Sequence, residues 1–490
     1  MNIKAFPLTD AIRGQNLFIA LYAKSPLSQE AFFSHLPAAT QKIIAACAAQ
    51  EFHGEEGEIK SIWLPEHTVR RVVLFGLGAK ANWHARKMPL IARRFVQYAR
   101  KERISTFACP LPLLYNAKPH DAARAFASNA LMAAFEYHFY KTAPKEGWPA
   151  ISHIHLGADT SVLADAEKGA LEGMIIGEET NECRRLANTP GGDMTPQVLA
   201  REALTMAKRY GIKARVLDAA AMKRLGMGAV LGVAAGSSEK PKFIILEYLK
   251  GPKSQKPLVL AGKGVTFDSG GVNIKPEAYM YEMHMDMSGG AAVIHGIAAI
   301  ARLKLPVNVI GLVPAVENMP SGSSYRPGDL LKSLSGKIIE VLNTDAEGRV
   351  ILADALTYAL RYKPGLIVDI ATLTGAAHVA LGNYCSAVFS NREELLPALV
   401  KIGADSGDYM WPLPLWDEYL ADIKGVFGDL ANTGRQDRYG GAIHGAKFLE
   451  QFVDTIPWAH LDIAPKMTTL DSEHLAKGAS GVGVRYIVEL

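Results

Sequence analysis

The chain has 490 residues, of which 49% are hydrophobic and 21% are charged, and its formal net charge is +4. This length exceeds the roughly 100 to 200 residues of one domain and predicts two or three domains, and the composition excludes a disordered or fibrous chain. The small net charge does not by itself indicate a nucleic-acid or membrane partner.

The cysteine pattern and the apolar runs are typical of a protein from a reducing compartment such as the cytoplasm. Cys47, Cys109, Cys183 and Cys385 lie far apart without a paired spacing, so neither a disulfide framework nor a Cys-rich zinc site is indicated. The opening residues lack the pattern of a signal peptide. The longest apolar tract, 365–382, contains charged and glycine residues and is typical of a buried strand, turn and helix. We therefore expect a cytoplasmic protein that does not span a membrane.

Residues 1–158 alternate strand-like and helical runs. NLFIALYA and RRVVLFGLG are strand-like, whereas ARKMPLIARRFVQYARK has helical periodicity. This part is predicted to be a small N-terminal α/β domain. Residues 159–187 read as one long helix that the turn-rich NTPGGDMTP ends, and we interpret this helix as a connector.

Residues 159–490 contain the connector and a larger α/β domain. The runs KFIILEYL, PLVLAGKG, VNVIGLVPAVE and GLIVDIATL alternate with helical runs such as GGAAVIHGIAAIARLK. Near-continuous apolar strands indicate a sheet that is buried on both faces, with active residues on loops at the strand ends. The predicted fold class is α/β, with a mixed central sheet covered by helices.

The segment NTDAEGRV at 343–350 places Asp345 and Glu347 two residues apart. On an extended chain two such side chains share a face and can reach one point, after which Gly348 would let the backbone turn and Arg349 would begin a helix. The alternative is that the carboxylates cap this helix while Arg349 pairs with one of them.

A second stretch, GKGVTFDSGGVNIKP at 262–276, contributes Lys263, Asp268 and Lys275, and Asp286 precedes a helix soon afterwards. Clustered carboxylates suit hard or borderline divalent ions, and four of them can hold two ions roughly 3.5 to 4 Å apart. A lysine beside two cations should have its pKa lowered and become a nitrogen ligand; otherwise the lysines are charge partners. Such a site also serves phosphatases and nucleases.

These two motifs, together with ATLTGA at 371–376, resemble in order and spacing the motifs of the cytosolic leucyl aminopeptidase family, whose signature is NTDAEGR. LANTPGGDMTP, PLPLWDEY, GGAIHGAKFLEQFV and PWAHLDIA also fit the family's catalytic domain. The resemblance implies a homohexameric exopeptidase that releases N-terminal residues such as Leu and Met from peptides. It also implies two divalent ions per subunit, zinc or manganese, that activate a water molecule.

The resemblance further implies a role for each matching residue. The ligands of one ion would be Lys263, Asp268, Asp286 and Glu347, and those of the other would be Asp268, Asp345 and Glu347. Lys275 would polarise the scissile carbonyl, and Arg349 would hold a bicarbonate that acts as general base. The side chain of the first substrate residue would lie among Met283, Thr372, Leu373 and Gly375. Met283 and Leu373 could instead belong to the core.

Two other functions have weaker signals. RRVVLFGLGAKANW is close to a dinucleotide fingerprint, but no acidic residue follows at the required distance, which disfavours a role for NAD. In the basic run 84–103, Arg86, Arg93 and Arg100 recur every seven residues with Lys87, Arg94 and Lys101 beside them. On a helix they would form one basic stripe, which predicts either a solvated face or, in a catalytically minor protein, a nucleic-acid contact.

Overall fold

A computed structural model describes residues 1–24, 33–64, 69–111, 117–435 and 439–490. The strands are β1 (Asn2–Pro7), β2 (Asn16–Leu21), β3 (Ile59–Trp63), β4 (Arg71–Gly76), β5 (Thr106–Pro110), β6 (His153–Ala158), β7 (Lys213–Leu217), β8 (Lys242–Leu249), β9 (Leu258–Gly262), β10 (Gly264–Asp268), β11 (Asn308–Asn318), β12 (Leu330–Lys332), β13 (Ile338–Glu340), β14 (Leu366–Ala371), β15 (Ser386–Ser390), β16 (Met410–Pro412), β17 (Leu430–Ala431) and β18 (Trp458–Asp462). The helices are α1 (Leu8–Ala11), α2 (Ala38–Glu51), α3 (Met88–Lys101), α4 (Pro119–Ala134), α5 (Leu163–Asn188), α6 (Pro196–Tyr210), α7 (Ala219–Leu225), α8 (Gly228–Val233), α9 (Glu277–Met280), α10 (Ser288–Arg302), α11 (Glu347–Ala359), α12 (Gly375–Leu381), α13 (Leu396–Ser406), α14 (Gly441–Glu450) and α15 (Val484–Glu489).

The chain divides into two compact units. The first, here the N-terminal unit, comprises Met1–Glu178 and Leu470–Ala476, and the second, the C-terminal unit, comprises Glu179–Thr469 and Lys477–Leu490. The helix predicted over 159–187 is α5, and the division between the units falls inside it. Within the described ranges, no helix is both long and apolar enough to cross a bilayer.

The N-terminal unit is built on a six-stranded sheet with the order β1-β6-β5-β2-β4-β3. All neighbouring strands are parallel except β3, which pairs antiparallel with β4 at the edge. Helix α3 packs its apolar side on this sheet, where Phe95 contacts Phe18 and Phe75. Burial of these aromatic side chains contributes to the stability of this unit.

The basic stripe predicted on α3 is not a free surface. The side chain of Arg93 is only 5% exposed; its Nε donates to Asn129 Oδ1 at 3.0 Å and its Nη1 donates to the Glu473 carbonyl at 3.0 Å. Arg100 lies 2.5 Å from the Glu136 carboxylate. The prediction of one exposed stripe is therefore wrong, because a seven-residue spacing fixes a shared helix face but not whether that face meets solvent. The nucleic-acid alternative loses its main support.

The C-terminal unit is built on a nine-stranded mixed sheet. Its order is β16-β15-β18-β14-β9-β11-β8-β7, and β10 pairs with β11 beyond the end of β9. Residues along β14 alternate between two buried clusters: Ile367 belongs to the cluster that contains Val350 of α11, and Val368 to the one that contains Ile294 of α10. The sheet is thus covered by helices on both faces, which confirms the predicted α/β fold.

Candidate metal centre

The parallel part of this sheet brings polar residues to one edge. Asp268 ends β10, and Asn318 ends the neighbouring parallel strand β11. Lys263 follows β9 and Thr372 follows β14, and these two strands are parallel to each other and to the others. Because parallel strands have their carboxyl ends at the same edge, residues far apart in the sequence meet there.

Two helix N-termini add carboxylates to the same place. Asp286 lies just before α10, and Glu347 is the first residue of α11. The free N–H groups at a helix start favour negative charge, which offsets part of the cost of burial. The prediction that Glu347 lies on extended chain is therefore wrong, since the backbone becomes helical at this residue and not after it.

The carboxylates of Asp268, Asp286 and Glu347 form one buried cluster. Each offers an oxygen within 4.8 Å of the others, and the three residues are 2%, 3% and 1% exposed. Lys263 Nζ lies 2.8 Å from Asp286 Oδ2 and 2.8 Å from Glu347 Oε1. It donates a hydrogen bond to the Thr372 carbonyl at 2.9 Å. The lysine amine is thus held among three oxygens.

Lys275 joins the fourth carboxylate to this cluster. Its Nζ lies 2.8 Å from Asp268 Oδ2 and 2.5 Å from Asp345 Oδ1. The structure therefore brings together all the residues that were predicted as metal ligands, namely Lys263, Asp268, Asp286, Asp345 and Glu347. Asp345 lies at the more open side, because its side chain is 33% exposed.

Burial and mutual repulsion dominate the electrostatics of these acids. Burial and the neighbouring Asp268 charge raise the pKa of Glu347, and the same causes raise the pKa of Asp345 to about 7. Burial alone would lower the pKa of Lys263, but the charges of Asp286 and Glu347 outweigh it and raise that pKa. The lower lysine pKa that was predicted applies to a centre that holds two cations, because the carboxylates by themselves raise the pKa of Lys263.

The donor set fits divalent cations. Four carboxylates face only two lysines, and all of the four except Asp345 are almost inaccessible to water, so the cluster combines an excess of acidic groups with burial. Asp286 Oδ2, Asp345 Oδ1 and Glu347 Oε1 lie near a lysine nitrogen but are not aligned as hydrogen-bond acceptors. Uncompensated buried charge is costly, and oxygen ligands with few neutral donors suit hard or borderline divalent ions.

Arg349 lies two residues beyond Glu347 and is 7% exposed. Its Nη1 donates to the Asn432 carbonyl at 3.0 Å, while its buried Nε has no hydrogen-bond partner among the described residues. Burial lowers the pKa of Arg349 to about 10, so the side chain is still charged at neutral pH. A buried cation with a free donor can hold a small oxyanion such as bicarbonate.

The four residues predicted to contact the first substrate residue differ in their surroundings. Thr372 donates from Oγ1 to Asp286 Oδ1 at 2.6 Å. Leu373 is half-buried against a core cluster, and its N–H donates to Asp462 at 3.0 Å. Gly375 begins α12 with open space where a Cβ would lie, and Met283 is half-buried in a short turn before Asp286.

Several buried polar residues that the sequence did not indicate position these groups. Asn318 is fully buried, and its Nδ2 donates to Asp268 Oδ1 at 2.8 Å and to the Thr344 carbonyl at 2.9 Å. Asn432, also fully buried, accepts from the N–H of Leu342 at 2.8 Å and donates to the Asn343 carbonyl at 2.6 Å. Asn318 could have been suspected as a polar residue that ends an apolar strand.

Comparison with known proteins gives consistent matches over most of the chain. The catalytic-domain profile of the cytosol aminopeptidase family matches residues 181–488, and the profile of its N-terminal domain matches residues 18–144. A "Probable cytosol aminopeptidase" of Roseiflexus castenholzii is 44% identical over 86% of this chain and 86% of its own length. One of Nitrosococcus oceani is 41% identical over 95% and 93%. Among solved structures, "Bottromycin maturation enzyme BotP in complex with Mn" is similar, with a TM-score of 0.83 and 29% identity over 97% of this chain and 98% of that one.

Proposed function

The chain belongs to the cytosol aminopeptidase family, and we propose that it is a two-metal exopeptidase that releases N-terminal residues, preferably Leu and Met, from peptides. The observation that carries this proposal is the buried cluster of carboxylates that two lysines join at the edge of the parallel strands. The family already makes the chain an aminopeptidase. The number of ions, their identity as zinc or manganese, and the preferred residue are the parts that we add.

The proposed ligands follow from the positions of the acids. Lys263, Asp268, Asp286 and Glu347 would hold one ion, and Asp268, Asp345 and Glu347 would hold the other. The chemistry expected of two divalent ions held in this way is Lewis acidity, which lowers the pKa of water and polarises a carbonyl. The higher exposure of Asp345 supports the view that the ion it helps to hold exchanges more readily.

The chain's own cations have separate tasks in this proposal. The side chain of Lys275 is 14% exposed, so its ammonium can donate to the scissile carbonyl oxygen and stabilise negative charge that develops there. Arg349 would hold bicarbonate through its buried, unpartnered Nε, and the chemistry expected of bicarbonate at that place is general-base catalysis. A divalent ion at this place would also accept the free α-amine of a peptide as a nitrogen ligand, which an internal peptide bond does not offer, and this is the basis for proposing that an amino terminus is required.

The side chain of the first peptide residue is proposed to lie among Met283, Thr372, Leu373 and Gly375. The absence of a side chain at Gly375 leaves room beside Leu373 and Thr372, and the thioether of Met283 is an adaptable apolar contact. A pocket with this lining suits unbranched or γ-branched apolar side chains, which is the basis for proposing Leu and Met.

The test is hydrolysis of leucine p-nitroanilide by wild-type protein and by Glu347→Gln, before and after removal of bound metal and with zinc or manganese added back. We expect activity to disappear with the metal, to return on addition, and to fall at least about 100-fold in the variant. Asp354→Asn is the matched control, because Asp354 is also a buried carboxylate of α11 but, within the described ranges, accepts hydrogen bonds from backbone N–H groups alone, including those of Val230 and Leu334. Full activity in metal-free protein would contradict the proposal.

Homohexamer formation and a cytoplasmic location are also proposed. Both are supported by the likeness to the family, and the location is further supported by the name of the relatives. Light scattering coupled to size-exclusion chromatography tests the first, since a monomeric or dimeric mass at micromolar concentration would contradict it. Cell fractionation tests the second.

A further inference from the structure

The N-terminal unit contains a cavity of about 830 Å³ that runs along one side of α3. Its walls include residues of β3, the turn after β4 and the segment 474–476, all of which belong to this unit. Sites for small molecules usually have volumes of roughly 300 to 1,000 Å³. The cavity is thus large enough for a small organic molecule.

Three cations of α3 and its N-terminal flank line this cavity at intervals of seven residues. Lys87, Arg94 and Lys101 lie about two turns apart each, so their side chains emerge on the same side of the helix. They are the neighbours of the arginines that the sequence suggested as a stripe. Arg100 of that stripe lines the cavity as well, whereas Arg93 is buried in contacts with Asn129 and Glu473.

The acidic residues of the cavity neutralise only part of this charge. Glu56 pairs with Lys87 at 2.8 Å, and Glu136 pairs with Arg100 at 2.5 Å. Within the described part of the chain, neither Arg94 nor Lys101 forms a salt bridge. The cavity wall thus carries four cations, Lys87, Arg94, Arg100 and Lys101, against two acids, Glu56 and Glu136, and this excess of positive charge attracts anions.

Arg94 offers a specific donor. Its Nη1 donates to the Gly76 carbonyl at 2.9 Å, which fixes the guanidinium against the end of β4. Its Nη2 is buried and has no hydrogen-bond partner among the described residues. A buried donor without a hydrogen-bond partner destabilises the fold, more so when it is charged, and an oxyanion that accepts a hydrogen bond from it would remove that cost.

Apolar side chains cover much of the remaining wall. Trp83, Leu90, Ile91 and Tyr98 line the cavity beside Arg94. A bare inorganic ion would leave this surface in contact with water. A ligand with an apolar body would bury it, and burial of apolar area is the general source of small-ligand affinity.

We propose that this cavity binds a small organic anion, whose phosphate or carboxylate group contacts Arg94 near Lys101 and whose apolar body lies along α3. The half-buried position of Arg94 favours a small ligand over a nucleic-acid backbone, because a duplex needs cations that project from the surface. The proposal is independent of the peptidase activity, since the cavity and the carboxylate cluster belong to different units.

The test is isothermal titration of the full-length protein with phenyl phosphate, with phenylacetate and with inorganic phosphate. We expect phenyl phosphate or phenylacetate to bind with a Kd of about 1 mM or tighter, and inorganic phosphate to bind more weakly because it lacks the apolar body. Arg94→Gln should weaken binding at least about tenfold, which corresponds to the loss of one charge-assisted hydrogen bond. Lys101→Gln should weaken it by a smaller factor.

Arg86→Gln is the matched control, since Arg86 is an exposed arginine just before α3 that does not line the cavity and its replacement removes the same charge. It should leave the affinity unchanged. The proposal is overturned if neither organic probe binds at about 10 mM, if Arg86→Gln weakens binding as much as Arg94→Gln, or if binding survives both cavity substitutions. Binding of a DNA duplex, weakened by Arg94→Gln, without binding of either organic probe would assign the cations to nucleic acid instead. If Arg94→Gln does not fold, the weaker binding expected for Lys101→Gln still tests the proposal, because Lys101 is exposed and its replacement should not affect folding.

Discussion

Replacing Gly348 by alanine is expected to displace Lys263 from the carboxylate cluster. A Cβ atom at position 348 would lie 2.7 Å from Cε and 2.8 Å from both Cδ and Nζ of Lys263, whereas ordinary contacts begin at 3.4 Å. The amine nitrogen would therefore have to retreat by the 0.6 Å between 2.8 and 3.4 Å. It cannot do so freely, because it is held 2.8 Å from Asp286, 2.8 Å from Glu347 and 2.9 Å from the Thr372 carbonyl.

The effect on activity should exceed the effect on stability. A misplacement approaching 1 Å in a catalytic centre can reduce the rate about 100-fold, which corresponds to about 2.7 kcal/mol of lost transition-state stabilisation. Overpacking of a buried site costs about 1 to 3 kcal/mol, and the better helix propensity of alanine returns up to about 1 kcal/mol of this. We therefore expect the free energy of unfolding to fall by about 2 kcal/mol or less.

The assay compares kcat/KM for leucine p-nitroanilide, metal content and the urea midpoint of unfolding in wild-type protein and Gly348→Ala. Gly322→Ala is the control, because a Cβ at position 322 meets no atom within 4 Å. Wild-type kcat/KM and metal content in a folded Gly348→Ala protein would refute the reasoning, since Lys263 would then tolerate the displacement. Equal losses in both variants would attribute the effect to glycine replacement in general.

Three further predictions concern other parts of the C-terminal unit. Asn432→Ala removes buried hydrogen bonds to the loop before α11 and leaves their partners unsatisfied. The free energy of unfolding, measured by urea denaturation, should therefore fall by about 2 to 5 kcal/mol. An unchanged urea midpoint would contradict this prediction. Burial alone would raise the pKa of Glu179, but hydrogen bonds and charge from His295 and Arg302 lower it. The ionised carboxylate therefore stabilises the fold at pH values above its unfolded pKa of about 4.3. This stabilisation is lost as the pH falls through the folded pKa. Glu179→Gln should therefore destabilise the protein by about 3 to 5 kcal/mol at pH 7 and by less at about pH 3, and a pH-independent difference in unfolding midpoints would contradict it. Gly375→Val fills the open space at the start of α12 and should raise KM for leucine p-nitroanilide more than for alanine p-nitroanilide, whereas equal changes would place Gly375 outside the pocket.

The centre depends on backbone placement as much as on its charged side chains. Gly290 donates from its N–H to the Lys263 carbonyl at 2.7 Å, which fixes the start of α10 against the end of β9. A Cβ at Gly289 would lie 2.0 Å from the Ile370 carbonyl oxygen, so no larger residue allows this approach. The SGG sequence at the helix start thus sets the position of Asp286 relative to β9 and β14.

Much of the fold and of the candidate centre follows from local sequence. The apolar run KFIILEYL is strand β8 in full, and the helical run at 159–187 is α5 to within a few residues. Asp345, Glu347 and Lys263 could be proposed as metal ligands, and Lys275 as a substrate contact, only from the resemblance of these motifs to the leucyl aminopeptidase family, since the acids of NTDAEGRV alone also allow a helix-capping role. Hydrophobic periodicity and residue type involve only residues that are close in the sequence, so the sequence alone predicts the strands and helices that depend on them.

Only the tertiary structure decided which distant residues touch and which faces are covered. The hydrogen bond from Asn318 to Asp268 joins two residues that are 50 positions apart in the sequence, and it forms because β10 and β11 are neighbours in the sheet. In the same way, Arg93 is buried while Arg94 faces a cavity, although both are arginines of one amphipathic helix. Strand order and helix docking depend on packing contacts between residues throughout the chain. A pattern of a few neighbouring residues therefore does not predict them.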